Sequence, residues 1–179
     1  MLFLVGYSTT VEGILSAAFT HNASHISRRI GRAQFDQLLV QPQPLWLTLA
    51  TEGFAPICGG AALATGILIM AWAWTGLGLP LTITWVAVFG VSLVSSVGVV
   101  LFTMFLWSVG TFWAPVAGEE ISMNVHDALG SLGTFPLDGI GGAMGVGLVT
   151  VFPASLVAWM PVRVLVGVSA DPWGYLLTP

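Results

Sequence analysis

Apolar residues run along this chain in long blocks, and neither a two-residue nor a three-to-four-residue alternation with charge breaks them up. A helix needs roughly 20 apolar residues to cross about 30 Å of hydrocarbon, and four blocks come near that length. They are residues 1–20, interrupted by Glu12; 48–75; 81–110; and 140–162, which is glycine-rich at its start. The pattern predicts an all-α, polytopic transmembrane helical bundle of about four spans. Residues 21–47, 111–139 and 163–179 join or follow the spans. The short link Gly76–Pro80 reads as a turn and makes the second and third spans antiparallel neighbours.

Tryptophans sharpen the edges. Trp46 with Trp72 and Trp74 brackets the second block, and Trp85 with Trp107 and Trp113 brackets the third. At about 1.5 Å per residue, a helix from Trp46 to Trp74 is about 42 Å long. That matches a bilayer with its headgroups, where indole rings prefer to sit.

Composition supports lipid as the main solvent. Hydrophobic residues make up 56% of the 179 and charged residues 7%, against roughly 45–50% and about 25% in soluble proteins. The net charge of −4 and the lack of a basic stripe exclude nucleic acid as a partner. The single cysteine, Cys58, rules out an internal disulfide and is expected to pack in its apolar run. Nothing basic precedes Arg28, so the first block is a span and not a secretory signal.

Charge then orients the bundle. Three of the four basic residues, Arg28, Arg29 and Arg32, lie in the loop 21–47. Short cytoplasmic loops concentrate arginine, which places that loop inside the cell and Gly76–Pro80 outside. The segment 111–139 is then cytoplasmic or interfacial. Arg163 falls near the outer interface, against the rule, where its long stem can snorkel. After Gly31, Phe35, Leu38 and Leu39 share one face of a short amphipathic helix that Pro42 and Pro44 end. Pattern alone favours a helix lying on lipid headgroups; a docking surface for a cytoplasmic partner is the other reading.

Few side chains promise chemistry. With no lysine in the sequence, the phosphate loop G-x-x-x-x-G-K-[ST] cannot form, so any ATP must be bound by another chain. Glu12, about midway along the first span, is a candidate for a translocation path, because a carboxylate within the membrane is expensive to keep. Neutralisation by a proton and pairing with Ser or Thr neighbours are the alternatives. Glu52, near the cytoplasmic interface, reads as solvated. His21 and His25 stand four apart but have no third ligand nearby, and His126–Asp127 reads as part of a polar interfacial helix. No catalytic residue, metal site or cofactor site is expected. Gly141 and Gly145, with Ala143 and Gly147, offer a surface for close helix approach, and Pro153 and Pro161 are expected to kink the fourth span.

Three stretches carry a resemblance. "RRIGRAQFDQLLVQPQPL", "SMNVHDALGSLGTFPLD" (Ser122–Asp138) and "VTVFPASLVAWMP" (Val149–Pro161) resemble, in order and spacing, segments of permease subunits of bacterial type-two ABC transporters. The likeness is to the subfamily often paired with daunorubicin-type ATPase subunits, and it covers most of the chain. Those permeases usually have six spans. By that comparison the chain begins in the second and stops before the sixth, as a fragment or shortened relative. Where the family commonly carries an arginine in the Met-Asn helix, this chain has Gly130 or Gly133.

The resemblance implies a subunit of an ATP-driven exporter in the bacterial cytoplasmic membrane. It would work with a second permease copy or homologue and with ABC ATPase subunits. Phe35, Asp36, Leu38 and Leu39 would face the ATPase groove, while Arg28, Arg29 and Arg32 hold the loop at the membrane surface. The rival expectations are a structural or assembly protein and a passive channel, both without an ATPase.

Overall fold

The computed structural model describes residues 1–19, 32, 34–44, 47, 55–79, 81–114, 117–137 and 143–167, with only the backbone described for Phe35, Leu38 and several other helical positions. Among the described residues all regular structure is helical. The helices are α1 (Leu2–Ala18), α2 (Phe35–Leu39), α3 (Pro56–Leu77), α4 (Ile83–Ser108), α5 (Gly118–Gly133), α6 (Ala143–Thr150) and α7 (Met160–Val166). A 3-10 turn, Val109–Phe112, follows α4, and a π-helical turn, Ser155–Trp159, precedes α7.

Among the described residues, only α3 and α4, with 22 and 26 residues, are long and apolar enough to cross a membrane alone, spanning about 33 and 39 Å. Their boundaries follow local chemistry. Pro56 opens α3 in its first turn, where the missing N–H has no helical partner to lose. Gly78 closes α3 at φ 59°, a left-handed conformation that a Cβ would strain. The Thr82 hydroxyl then accepts from the Trp85 N–H at 3.2 Å and starts α4. Much of both helices faces outward: Ile57, Leu68, Trp72, Ile83, Val94 and Phe102 are all at least 69% exposed. Cys58, expected to pack, is exposed as well.

The core gathers instead around α1, only 17 residues long. Phe3, Leu4, Tyr7, Val11 and Leu15 form a buried stripe at helical spacing. Around it stand Val100 and Met104 of α4, Leu129 of α5, and Ala154, Val157 and Leu165 of the last segment.

Glycine sets the closest helix pair. A Cβ built on Gly6 would lie 2.7 Å from the Met70 nitrogen, and one on Gly66 would lie 2.6 Å from the Thr10 nitrogen. On Gly13 it would press still harder on Leu63, and on Gly59 on Ala17. The facing pairs Gly6–Met70, Thr10–Gly66, Gly13–Leu63 and Ala17–Gly59 step by four, three and four residues along α1 and by the same steps back along α3. That is the spacing of a coiled-coil seam, here antiparallel and with its side chains removed. At its end the Ala55 N–H donates to the Ala17 carbonyl at 2.9 Å, satisfying an acceptor left open by the end of α1.

At the opposite end of that pair, aromatic rings tie the bundle together. Trp74 meets Trp85 edge-on with centroids 4.4 Å apart; Trp85 stacks on Phe89 at 5.3 Å; and Phe89 meets Tyr7 edge-on at 6.1 Å. The Trp85 indole N–H donates to the Leu165 carbonyl at 3.0 Å and holds α7. Tyr7, fully buried, places its hydroxyl 2.9 Å from Ser96 Oγ. Ser96 already donates its hydrogen to the Ser92 carbonyl, which makes Tyr7 the donor.

The region expected as one kinked span, residues 140–162, is interrupted. The helix α6 ends at Thr150, and the chain resumes helically only after Pro153, where the Ser155 hydroxyl donates to the Leu148 carbonyl at 3.0 Å. Pro161 makes no second break: the chain stays helical from Ser155 to Val166, with a π-helical turn over Ser155–Trp159 just before the proline.

The glycine seam predicts a sharp contrast between neighbouring positions. Gly59→Ala puts a methyl into the α1 backbone, whereas Gly60→Ala puts one into open space. In purified protein, thermal unfolding should show Gly59→Ala destabilised by about 1–3 kcal/mol, the usual range for overpacking, and Gly60→Ala unchanged or slightly stabilised. Equal effects at the two positions would remove the seam.

Candidate functional site

An acid within an apolar helix needs a partner, and Glu12 has one on α5. Helix α5 is amphipathic: Ser122, Val125, Leu129 and Gly133 turn inward, while Met123, Asn124, Asp127 and Ser131 are exposed. His126 and Gly130, one turn apart, lie on the flank facing α1. His126 Nε2 is 2.9 Å from Glu12 Oε1, with the histidine side chain 15% exposed and the glutamate 36%.

The opposite oxygen of Glu12 lies over Gly130, where an added methyl would be in ordinary contact at 3.7 Å. One turn further, Gly133 faces Ser8. A side chain as long as arginine at either glycine would have to displace Glu12 or Ser8.

Donating a hydrogen bond to the Glu12 carboxylate raises the His126 pKa above its ordinary value, burial opposes the rise, and the negative charges of Glu12 and Asp127 add to it. The ring's other nitrogen, Nδ1, is buried and has no hydrogen-bond partner among the described residues. The pair can share a proton or hold two opposite charges, and it joins two helices that otherwise touch little. A second polar contact, Ser108 Oγ to Ser122 Oγ at 3.2 Å, fixes the start of α5 to the end of α4.

The expected docking loop is described in part. Arg28, Arg29, Gly141, His21, His25 and Glu52 lie outside the described residues. Arg32 and Asp36 are exposed, and Asp36 sits in the first turn of α2, where a negative charge suits the helix dipole. Leu39 is 58% exposed and Val40 83%. Phe35 and Leu38 belong to the same short helix. Gly145 is half-buried in α6; among the described residues, close helix contacts fall at Gly6, Gly13, Gly59 and Gly66. The signal was present: Gly6 and Gly13 in α1, and Gly59 and Gly66 among the four glycines of α3, stand seven residues apart.

Among the described residues, no three His, Cys, Asp or Glu side chains are grouped to hold a metal ion. A cleft of about 650 Å³ lies where α1 begins and α3 ends, with Trp159 and Arg163 on its wall.

A family model described as ABC-2 family transporter protein matches residues 1–179. No curated protein and no solved structure matches the chain.

The Glu12–His126 contact should appear as a coupling energy. In a double-mutant cycle of Glu12→Gln and His126→Ala on purified protein, thermal unfolding should give a coupling of about 1–2 kcal/mol. A folded-state histidine pKa above the unfolded one adds stability that is complete below the unfolded value and is lost as pH rises through the folded value. The melting temperature of the parent protein should therefore fall over that rise, and the His126→Ala protein should not share the fall. Zero coupling at low pH would mean that the contact does no work.

Proposed function

The chain belongs to the ABC-2 family of transporter proteins, as a membrane permease component, and from that premise we propose an exporter subunit of the bacterial cytoplasmic membrane driven by a separate ATPase. The ATPase must be another polypeptide, because a chain without lysine cannot form the lysine-bearing phosphate loop. Two permease copies, or this chain and a homologue, would enclose the translocation path between them.

The observation that carries this reading is the placement of α2. It is a short helix with exposed Leu39 and Asp36, and it lies on the connection between α1 and α3, the two helices whose backbones are in closest contact. A push delivered there by an ATPase would move α1 and α3 together as one rigid body, since packed helices shift between discrete arrangements and do not deform smoothly. Arg28, Arg29 and Arg32 would anchor the loop to lipid phosphate, with Phe35, Asp36, Leu38 and Leu39 turned to the ATPase. Glu12 moves with that body. We place it beside the path, where its pairing with His126 is made or broken as α1 shifts against α5.

Two measurements test the proposal. Asp36→Lys combined with Leu39→Asp should reduce ATPase recovered with the tagged permease by about tenfold or more, as loss of a contact hot spot does, without lowering the permease melting temperature. Undiminished recovery would remove the coupling role. Transport by the assembled complex should drop severalfold in Glu12→Gln while ATPase recovery is kept, and unchanged flux would take Glu12 off the path.

A further inference from the structure

We infer that α5 is a half-span whose outward polar stripe, with Glu12, walls a water-filled vestibule reaching the middle of the membrane from the side of α2. The depth of α5 follows from its contacts. It starts beside the end of α4, where Ser122 Oγ lies 3.2 Å from Oγ of Ser108, the last residue of that helix. His126 then meets Glu12, and Gly133 faces Ser8, so α5 runs antiparallel to α1. Glu12 lies between the facing pairs Thr10–Gly66 and Gly13–Leu63, which fall near the middle of α3. From Ser122 to Gly133 the helix rises about 16 Å, half the length of α3.

The outward face at that depth is wrong for hydrocarbon. Asn124, Asp127 and Ser131, three and four residues apart, share one exposed stripe. A hydroxyl can turn to its own helix, as Ser131 does to the Asp127 carbonyl and Thr65 of α3 to the Ala61 carbonyl. An amide and a carboxylate have no such escape, and exposing them to lipid tails is expensive. Glu12, with 36% of its side chain exposed, adds a second carboxylate at mid-depth. The two longest helices present the opposite chemistry: Leu68 of α3 and Val94 and Phe102 of α4 are at least 70% exposed and suit acyl chains. One bundle thus carries two kinds of outer surface, and the polar one needs water. Because α5 runs antiparallel to α1, it starts at the end of α1 that leads into the loop bearing α2, and water reaches it from that side. A solute entering there keeps its hydration as far as Glu12, and meets an amide and a carboxylate on the way.

The inference rests on the proposed reading of the chain as the wall of a translocation path, and not on ATPase docking. Its test uses neither ATPase nor transport, so the two fail separately. The full chain, with its single thiol removed by Cys58→Ser, is held in phospholipid nanodiscs. Asp127→Cys and Ser131→Cys should react with a charged, membrane-impermeant methanethiosulfonate within about tenfold of the rate at Asp36→Cys, because the reacting thiolate needs water. Val94→Cys and Phe102→Cys should react about a hundredfold more slowly. Ser8→Cys with Gly133→Cys should close a disulfide in the same nanodiscs, which fixes the depth of α5. Labelling at Asp127→Cys and Ser131→Cys as slow as at Val94→Cys and Phe102→Cys overturns the inference. So does fast labelling without the disulfide between positions 8 and 133, which would lay α5 on the membrane surface. Thiols shielded from the reagent but cross-linked between copies would give the stripe to a second copy, and would overturn it equally.

Discussion

Where α1 meets α3 there is no room for a side chain on the glycine of each facing pair, and the rest of the structure is arranged around that contact. In lipid, apolar side chains gain little by leaving one apolar surroundings for another, so helices associate through close packing and polar contacts. Gly6, Gly13, Gly59 and Gly66 supply that packing along one register, with Thr10 and Ala17 among the residues they meet. Holding α3 there leaves the opposite face of α1, with Tyr7, Val11 and Leu15, to be covered by α4, α5 and the last segment. A 17-residue helix thus becomes the centre of the bundle, while the two longest helices remain on its periphery with broad apolar faces outward.

Polar groups are placed where this arrangement needs direction. Backbone packing fixes distance but only weakly fixes rotation or sliding; hydrogen bonds between named atoms fix both. The Tyr7 hydroxyl on Ser96, the Trp85 indole on the Leu165 carbonyl and Ser108 on Ser122 each join helices that the glycine seam does not reach. Glu12–His126 belongs to this set geometrically and differs chemically, since it is a direct contact between oppositely charging groups and can respond to a proton. It joins α5 to the helix that leads directly into the loop carrying α2, so a shift of α1 bears on both.

The same economy of charge explains the two ends of the bundle. Three arginines are gathered in one loop, and the fourth stands with tryptophans beside an apolar cleft at the far end.

Much was legible in the order of residues alone. Long apolar blocks with hardly any charge specify helices in a membrane, since no other element satisfies every backbone hydrogen bond within one segment. The missing lysine excluded a nucleotide loop, and three separated stretches carried the likeness to ABC permeases. Tertiary structure decided which faces meet. Many glycines look alike in sequence, yet Gly59 supports a helix contact and Gly60 faces open space, because adjacent residues point about 100° apart around a helix. Glu12 and His126 are far apart along the chain, and neither residue's surroundings in sequence name the other. Arg163 reads in sequence as an exception to a charge rule; packing sets its guanidinium over the Trp159 ring. Periodicity fixes which residues share a helix face; only packing in three dimensions fixes what that face touches.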